Sequence, residues 1–418
     1  MARIRELIKD KNFFLLWFAQ VISNFGDRLN QMALIGLMYS RTPGSTIELA
    51  KLLSFTIIPV FLIGPVAGSY VDRWDRKTTM IVSDMLRGAL VFFIPLAALH
   101  SKNMLLIYLL VFLVFSVTRF FLTSKLSIIP DIVHKDKLLL ANSLSSTTMM
   151  IATIVGFGFG GIIVGSFGAM AGFYIDAASY FISGLMLFFI TVNFKNNIKA
   201  MFKDQGLQKA IKKTVLEDIK EGLIYLKNHK DIRMVANTMF LLMAGIGSIY
   251  IVIIVFIQDA LGSSTEHLGL LAMLLGIGLF LGSIAYGRFG FRIPKKEVIN
   301  FCLGVTGLIV VAFAVSLKIA PYFLTAGFLA VVLGLCGAPI IISSNTFLHE
   351  VMADEMRGRT FSSLEIIMHI GFLLFMLVTS ILAEHVRREW VLITIGIIFS
   401  LIGLVRLAKV VKEEKAGT

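Results

Sequence analysis

The chain has 418 residues, 57% of them hydrophobic and 16% charged, with a formal net charge of +13. Soluble domains carry about 25% charged residues, so this composition excludes a soluble enzyme, a secreted disulfide scaffold and a disordered protein. A charge of +13 would suggest nucleic acid in a soluble protein; here it reads as membrane topology, and no nucleic-acid partner is expected.

A helix needs about 20 apolar residues to cross a bilayer. The chain opens on basic residues (Arg3, Arg5, Lys9, Lys11) and then runs apolar, as a signal peptide does. The run is too long, is interrupted by Asn24–Arg28 and has no small-x-small cleavage site, so it predicts a retained first span. Predicted spans occupy 13–39, 49–71, 78–99, 104–124, 142–165 and 171–193. A polar stretch over 194–233 follows, and then spans over 234–258, 267–286, 298–317, 321–343, 361–383 and 390–408. Within the polar stretch, apolar residues at 207, 211, 215, 216, 219, 223 and 226 mark one face of an amphipathic helix, the pattern of a helix lying on the membrane surface. The expected organisation is an all-α polytopic membrane protein of twelve transmembrane helices. Residues 1–193 form a first six-helix bundle, 194–233 a cytoplasmic linker and 234–418 a second bundle.

With the N-terminus inside, strict alternation leaves 30 Lys and Arg in cytoplasmic segments, Lys125 among them, and 6 in the outer loops. Arg28, Arg87 and Arg119 fall within spans or at their ends. By the positive-inside rule this predicts a multi-pass protein of the inner (plasma) membrane with both termini cytoplasmic. Cys302 and Cys336 lie in apolar runs with no disulfide or metal spacing, and read as small core residues.

After the second span the chain reads Gly68-Ser-Tyr-Val-Asp72-Arg73-Trp-Asp75-Arg76-Lys77. The corresponding stretch of the second half, Gly282-Ser-Ile-Ala-Tyr-Gly287-Arg288-Phe-Gly290-Phe-Arg292, is a degraded copy without the acid, as an internal repeat predicts. Gly68 is expected to let two helices approach closely, as small residues do in membranes. The first loop resembles the signature G-x-x-x-D-R-x-G-R-K of the major facilitator superfamily, with Asp75 where that family usually has Gly. The resemblance implies two six-helix bundles and a conformational latch made by Gly68, Asp72, Arg73, Arg76, Lys77 and Arg119. In it Asp72 caps a helix of the opposite half near Phe361. The stretches Asn24-Phe-Gly26-Asp27, Arg119 to Asp131, Asp136 to Asn142 and Arg357-Gly358-Arg359 resemble the branch of macrolide-efflux and enterobactin-export proteins. The resemblance covers essentially the whole chain, implies a monomer and is silent on substrate.

Gly156-Phe-Gly158-Phe-Gly160-Gly161 in the fifth span follows no strand and precedes no Lys-Ser/Thr, so it is no phosphate cradle. It reads as a close helix-packing face. In the family this site often reads G-P-x-x-G-G and goes with antiport; Phe157 replaces the proline here.

Asp27 lies near the middle of the first span, where a carboxylate is expensive and therefore a functional candidate. Gln20, Asn24, Asp27 and Gln31, at steps of 4, 3 and 4, form one polar stripe at 3.6 residues per turn. Facing a central cavity, Asp27 is expected to couple transport to protons, unless it pairs with Arg28 or a neighbouring helix and only holds structure. Glu365 and His369 share a face of the eleventh span at i and i+4, where they suit a gate, a latch contact, substrate binding or, for the imidazole, a proton relay. The candidate substrate and proton-coupling set is Asp27, Asn24, Gln31, Arg28, Glu365 and His369. Asp84 and Arg87 read as an intrahelical pair near the inner surface, and Asp176 as a rim residue near the outer end of the sixth span. His349-Glu350 and Asp354-Glu355 lack ligand-type clustering, so no metal site is expected.

No G-x-x-x-x-G-K-[ST] occurs, so ATP is not the direct energy source, and no cofactor is expected. The function expected is secondary active transport, most simply proton-coupled efflux of a small amphipathic molecule such as a drug, macrolide or siderophore. Its partners are that substrate, protons and membrane lipids. The alternatives are a lysophospholipid flippase of the same fold and a non-transporting membrane sensor. The 35 Phe and 19 Met would suit a greasy, adaptable cavity.

Overall fold

The computed structural model describes residues 7–71, 74–100, 103–191, 220–221, 224–225, 228, 230–263, 265–290, 293–351 and 357–417. The amphipathic helix expected over 207–228 falls almost wholly outside them, as do Asp72, Arg73, Asp354 and Glu355. All the regular structure described is helical. In chain order it comprises α1 (Lys11–Arg41), α2 (Thr46–Leu62), α3 (Gly64–Val71), α4 (Arg76–His100), α5 (Leu105–Ile132), α6 (Leu138–Phe167) and α7 (Ala169–Phe188). Then come α8 (Lys230–Leu261), α9 (Glu266–Phe289), α10 (Lys295–Ile319), α11 (Phe323–Val351), α12 (Arg357–His385) and α13 (Arg388–Gly417). Ten helices among the described residues are long and apolar enough to cross a membrane.

The second predicted span is broken at Ile63 into α2 and α3. Pro65 has no N–H for the carbonyl four residues back and its ring crowds that carbonyl. The chain carries on through Ile63, whose N–H reaches Pro59 O at 2.9 Å and whose carbonyl accepts from Ala67 N at 2.8 Å. Asp75 starts α4. Its Oδ1 accepts from Thr78 N at 2.6 Å, which satisfies one of the orphan donors of the first turn. The residue that departs from the family signature is thus an N-cap. Asp75→Ala should lower stability by about 1 kcal/mol, read as a reduced melting temperature of the purified protein in detergent.

The chain gathers into two compact units. One holds the described residues of Met1–Leu37 and Leu52–Asp218, the other those of Met38–Lys51 and Ile219–Thr418. In the first, α4 packs on α5 and α7, and Phe13, Leu16, Met80, Phe121, Ile128 and Leu187 belong to one apolar cluster. Asn12 ties the start of α1 to the end of α7, donating to Thr191 O and accepting from Thr191 N, both at 2.9 Å.

The second unit is built on glycine crossings. α9 meets α11 where Gly278 and Gly334 face each other, and α10 meets α13 where Gly307 and Gly396 do. A Cβ on Gly334 would stand 2.6 Å from Leu279 N and press on Leu275 O, which is backbone that cannot rotate away. Gly334→Leu should therefore cost more than the ~1–3 kcal/mol of ordinary overpacking, with loss of the monodisperse peak on size-exclusion chromatography. Gly282, in the degraded copy of the signature loop, also sits against backbone, 2.9 Å from Leu335 Cα.

The turn between α1 and α2 belongs to this second unit. Gly44, at φ 78, takes the left-handed conformation the turn requires. Thr46 Oγ1 donates to Ser380 O at 2.7 Å. Glu384 Oε1 accepts from Ser45 Oγ at 2.8 Å and Ile47 N at 3.1 Å, and so caps α2 from a distant part of the chain. Arg388 pairs with Asp259 and donates to Gly44 O.

Candidate functional site

Small residues bring α1, α4 and α7 together. A Cβ on Gly26 would collide with Ser179, one on Gly88 would lie 3.2 Å from Ala177 O, and one on Gly184 3.4 Å from Asp84 Cβ. The glycine run of α6 closes onto α1 in the same way. At Gly156 a Cβ would stand 2.9 Å from Arg28 Cβ and Cγ, and at Gly160 3.4 Å from Leu29 Cα. This run is a packing face.

Polar side chains collect where these helices meet. Asp84 and Arg87 on α4 form an ion pair at 0% and 1% side-chain exposure. Ser183 donates to Asp84 Oδ2 at 2.7 Å. Arg87 is also sandwiched by rings, its Cζ lying 4.1 Å from the Phe121 centroid and 4.3 Å from that of Tyr180. Tyr180 donates its hydroxyl to Asp27 Oδ1 at 2.5 Å. Asp176 is fully buried, accepting from Asn30 Nδ2 at 2.6 Å. Paired and hydrogen-bonded, these charges meet the conditions under which a low-dielectric interior tolerates them.

The expected stripe of α1 divides. Asp27 is half-buried and turned to Tyr180, and among the described residues it makes no ion pair. It therefore does not pair with Arg28. Arg28 donates instead to Gln31 Oε1 at 3.1 Å and lies over the Phe157 ring at 5.3 Å. Gln20 is buried and Asn24 half-buried, with Gln20 Oε1 and Asn24 Nδ2 lacking hydrogen-bond partners among the described residues. On α12, Glu365 is exposed, and His369 Nδ1 donates to the Glu365 carbonyl at 2.8 Å, not to its carboxylate.

Three expectations are corrected. Asp176 is no rim residue: the face of α7 that carries it packs on Gly26 of α1. Lys125 belongs to no inner loop, because α5 runs on to Ile132 and buries it at 6% exposure. The close approach expected at Gly68 is absent among the described residues, since a Cβ there would meet nothing within 4 Å.

Of the latch residues, Asp72 and Arg73 lie outside the described residues. Arg76 binds the end of α5, donating to Ser127 O at 2.9 Å and pairing with Asp131 at 2.6 Å. Lys77 lies over the Phe188 ring at 5.5 Å. Half-buried Arg119 runs beside Gly64, and Trp74 stacks on Phe120 with centroids 5.8 Å apart. The second half of the signature loop thus docks on α5.

Tyr180, Ser183, Asn30 and Lys125 were missed as site residues. A signal for two of them stands in the sequence: Asp176, Ser179, Tyr180 and Ser183 fall at i, i+3, i+4 and i+7 and mark one polar face of α7.

The model of a family described as transmembrane secretion effector matches residues 7–417. A protein named uncharacterized MFS-type transporter YfiS, of Bacillus subtilis, is 25% identical over 95% of this chain and 93% of its own. The multidrug efflux pump Tap of Mycobacterium tuberculosis is 24% identical over 83% of this chain and 81% of its own. Macrolide efflux protein A of Streptococcus pyogenes is 22% identical over 91% and 92%. Among solved structures, the nucleoside transporter NupG superposes with a TM-score of 0.72 at 14% identity, over 95% of this chain and 98% of its own.

Proposed function

The chain belongs to the transmembrane secretion effector family of major facilitator transporters, and on that premise we propose that it is a proton-coupled exporter of a small amphipathic compound. It is a membrane transporter and not an enzyme. In this reading its helices make twelve spans in two six-helix bundles, with both termini cytoplasmic and a linker over 194–233. Transport proceeds by rocking of one bundle on the other.

The observation that carries the proposal is Asp27. It is a carboxylate near the middle of α1, half-buried, held by the Tyr180 hydroxyl and by no cation among the described residues. Such a group exchanges a proton without breaking an ion pair, and intramembrane acids of this kind mark proton pathways. Protonation from outside releases the substrate, and deprotonation to the inside resets the site. Relatives named for multidrug and macrolide efflux support an amphipathic substrate.

Everted vesicles with an imposed proton gradient and a panel of lipophilic drugs, macrolides and siderophores test this. Compound-triggered proton release from the lumen is the expected result. Silence across the panel would overturn drug export.

A second reading, movement of a lysophospholipid, is favoured by one feature of the first unit. An apolar cavity of about 510 Å³ lies among α1, α6 and α7, lined by Val21, Phe25, Ile151, Val155, Ala178 and Ile182, with Ile151 and Ile182 about half exposed on its rim. Lipid movement that survives a protonophore would select this reading.

A further inference from the structure

Asp176 is a buried acid that the transport step above leaves unused. It is 0% exposed and makes no ion pair among the described residues. A Cβ on Gly26 of α1 would collide with its Oδ1 and with Ser179 Oγ, so the carboxyl is sealed against helix backbone. A charge in such a place needs a paired countercharge. The charged and titratable groups around it are Asp27 on α1, Arg87 on α4, whose charge is committed to Asp84, and Tyr180 on its own helix. Its hydrogen bonds count the protons. An ionised carboxylate only accepts. Asn30 Nδ2 donates to Oδ2 at 2.6 Å. Ser179 Oγ lies 3.3 Å from Oδ1, but a serine has one hydrogen, and the Asp176 carbonyl takes it at the shorter 2.8 Å. A carboxylic acid supplies the missing hydrogen, from Oδ1 to Ser179 Oγ. The orphan on the facing amide, Asn30 Oδ1, is likewise an acceptor.

Asp27 stands one rung away. On α1, Asp27 and Asn30 fall at i and i+3; on α7, Asp176 and Tyr180 fall at i and i+4. The bonds Asp27–Tyr180 and Asn30–Asp176 therefore make two rungs between these helices, about 5.4 Å apart along the axis, one helical turn. Two carboxylates so placed in a low-dielectric interior do not both ionise. Asp27 is half-buried and Asp176 is sealed, which settles where the proton stays. We propose that Asp176 is the neutral member of a carboxyl pair with Asp27, holding a resident proton that lets Asp27 titrate alone, so that the site exchanges one proton and not two. This rests on the transporter reading above and deepens its proton site: Asp27 exchanges, and Asp176 is a positioning residue that acts through the charge it does not carry.

The test is infrared spectroscopy of the full-length protein in nanodiscs, isotope-labelled at its aspartate carboxyls. It needs no gradient and no substrate, so its outcome is separate from that of the transport assay. The protein should show the C=O stretch of a protonated aspartic acid that persists through the neutral pH range, while the Asp27 carboxylate titrates. Asp176→Asn should remove that band, its amide keeping the shape, accepting from Asn30 and donating to Ser179. Asp27→Asn and Asp84→Asn should keep it. In Asp176→Asn a neutral group replaces a neutral group, so the titration midpoint of Asp27 should not move. Removing an ionised Asp176 would instead lower that midpoint by about one unit or more, a tenfold change in proton affinity. No protonated-aspartate band in the unmodified protein would overturn the proposal, even if Asp176→Asn failed to fold. So would a band that survives Asp176→Asn, a band lost with Asp27→Asn or Asp84→Asn, or a lowered Asp27 midpoint in Asp176→Asn. Absence of proton-driven transport with the band intact would instead sink the exporter reading and leave the resident proton standing.

Discussion

Asp27→Asn is expected to yield a folded protein whose gradient-driven transport falls to background. The substitution keeps the size and shape of the side chain, and its amide oxygen still accepts the Tyr180 hydroxyl that lies 2.5 Å from Oδ1. It removes only the capacity to take up and release a proton. Because Asp27 makes no ion pair among the described residues, its neutralisation strands no buried cation in direct contact. The stability cost should therefore stay near the about 1 kcal/mol of one altered hydrogen bond. The loss of proton-driven flux should be of order 10² or more, the usual weight of a positioned acid–base group. Substrate exchange at equal pH on both sides, which needs no net proton movement, should persist. These outcomes separate a coupling residue from a structural one: a destabilised protein loses both activities together. Lumenal pH and substrate flux in everted vesicles give the two readouts, and unchanged gradient-driven flux would remove Asp27 from the coupling role.

The apolar runs made the helices legible, because an amphipathic or wholly apolar segment near 20 residues has little alternative in a bilayer. Each predicted span overlaps a helix or, for 49–71, two, although 171–193 runs past the end of α7 at Phe188. The errors arise where sequence pattern and packing diverge. Pro65 breaks a run whose hydropathy is continuous, because a missing N–H does not register as polarity. Lys125 is charged and near the end of an apolar run, a pattern that reads as a loop, yet α5 continues past it for seven residues to Ile132. Asp176 lay near a span end by counting, but its burial follows from the lack of a side chain on Gly26 of another helix. No single-helix pattern contains that information. The partner of Asp27 was likewise half legible. The polar face of α7 was there to be read, but which helix it meets is decided by the glycines at 26, 88 and 184.

Arg87→Met should be among the most destabilising single changes in the first unit. The arginine is 1% exposed, paired with a carboxylate that is itself 0% exposed, and held between the rings of Phe121 and Tyr180. Truncation at the charge leaves Asp84 with only the Ser183 hydroxyl. Breaking a buried pair from one side costs about 3–5 kcal/mol, because the remaining charge is stranded. The same physics predicts partial rescue. In Asp84→Asn/Arg87→Met neither charge remains, and since both residues belong to one network their effects should not add. The double variant should melt above Arg87→Met, although it has lost more native groups. Arg87→Lys is no conservative change here, since an ammonium lacks the planar face that lies 4.1 Å and 4.3 Å from the two ring centroids. Thermal unfolding of Asp84→Asn, Arg87→Met, Arg87→Lys and the double variant in one detergent decides the matter. If the double variant is as unstable as the sum of its parts, the pair contributes no coupling, and the rings alone account for the burial of Arg87.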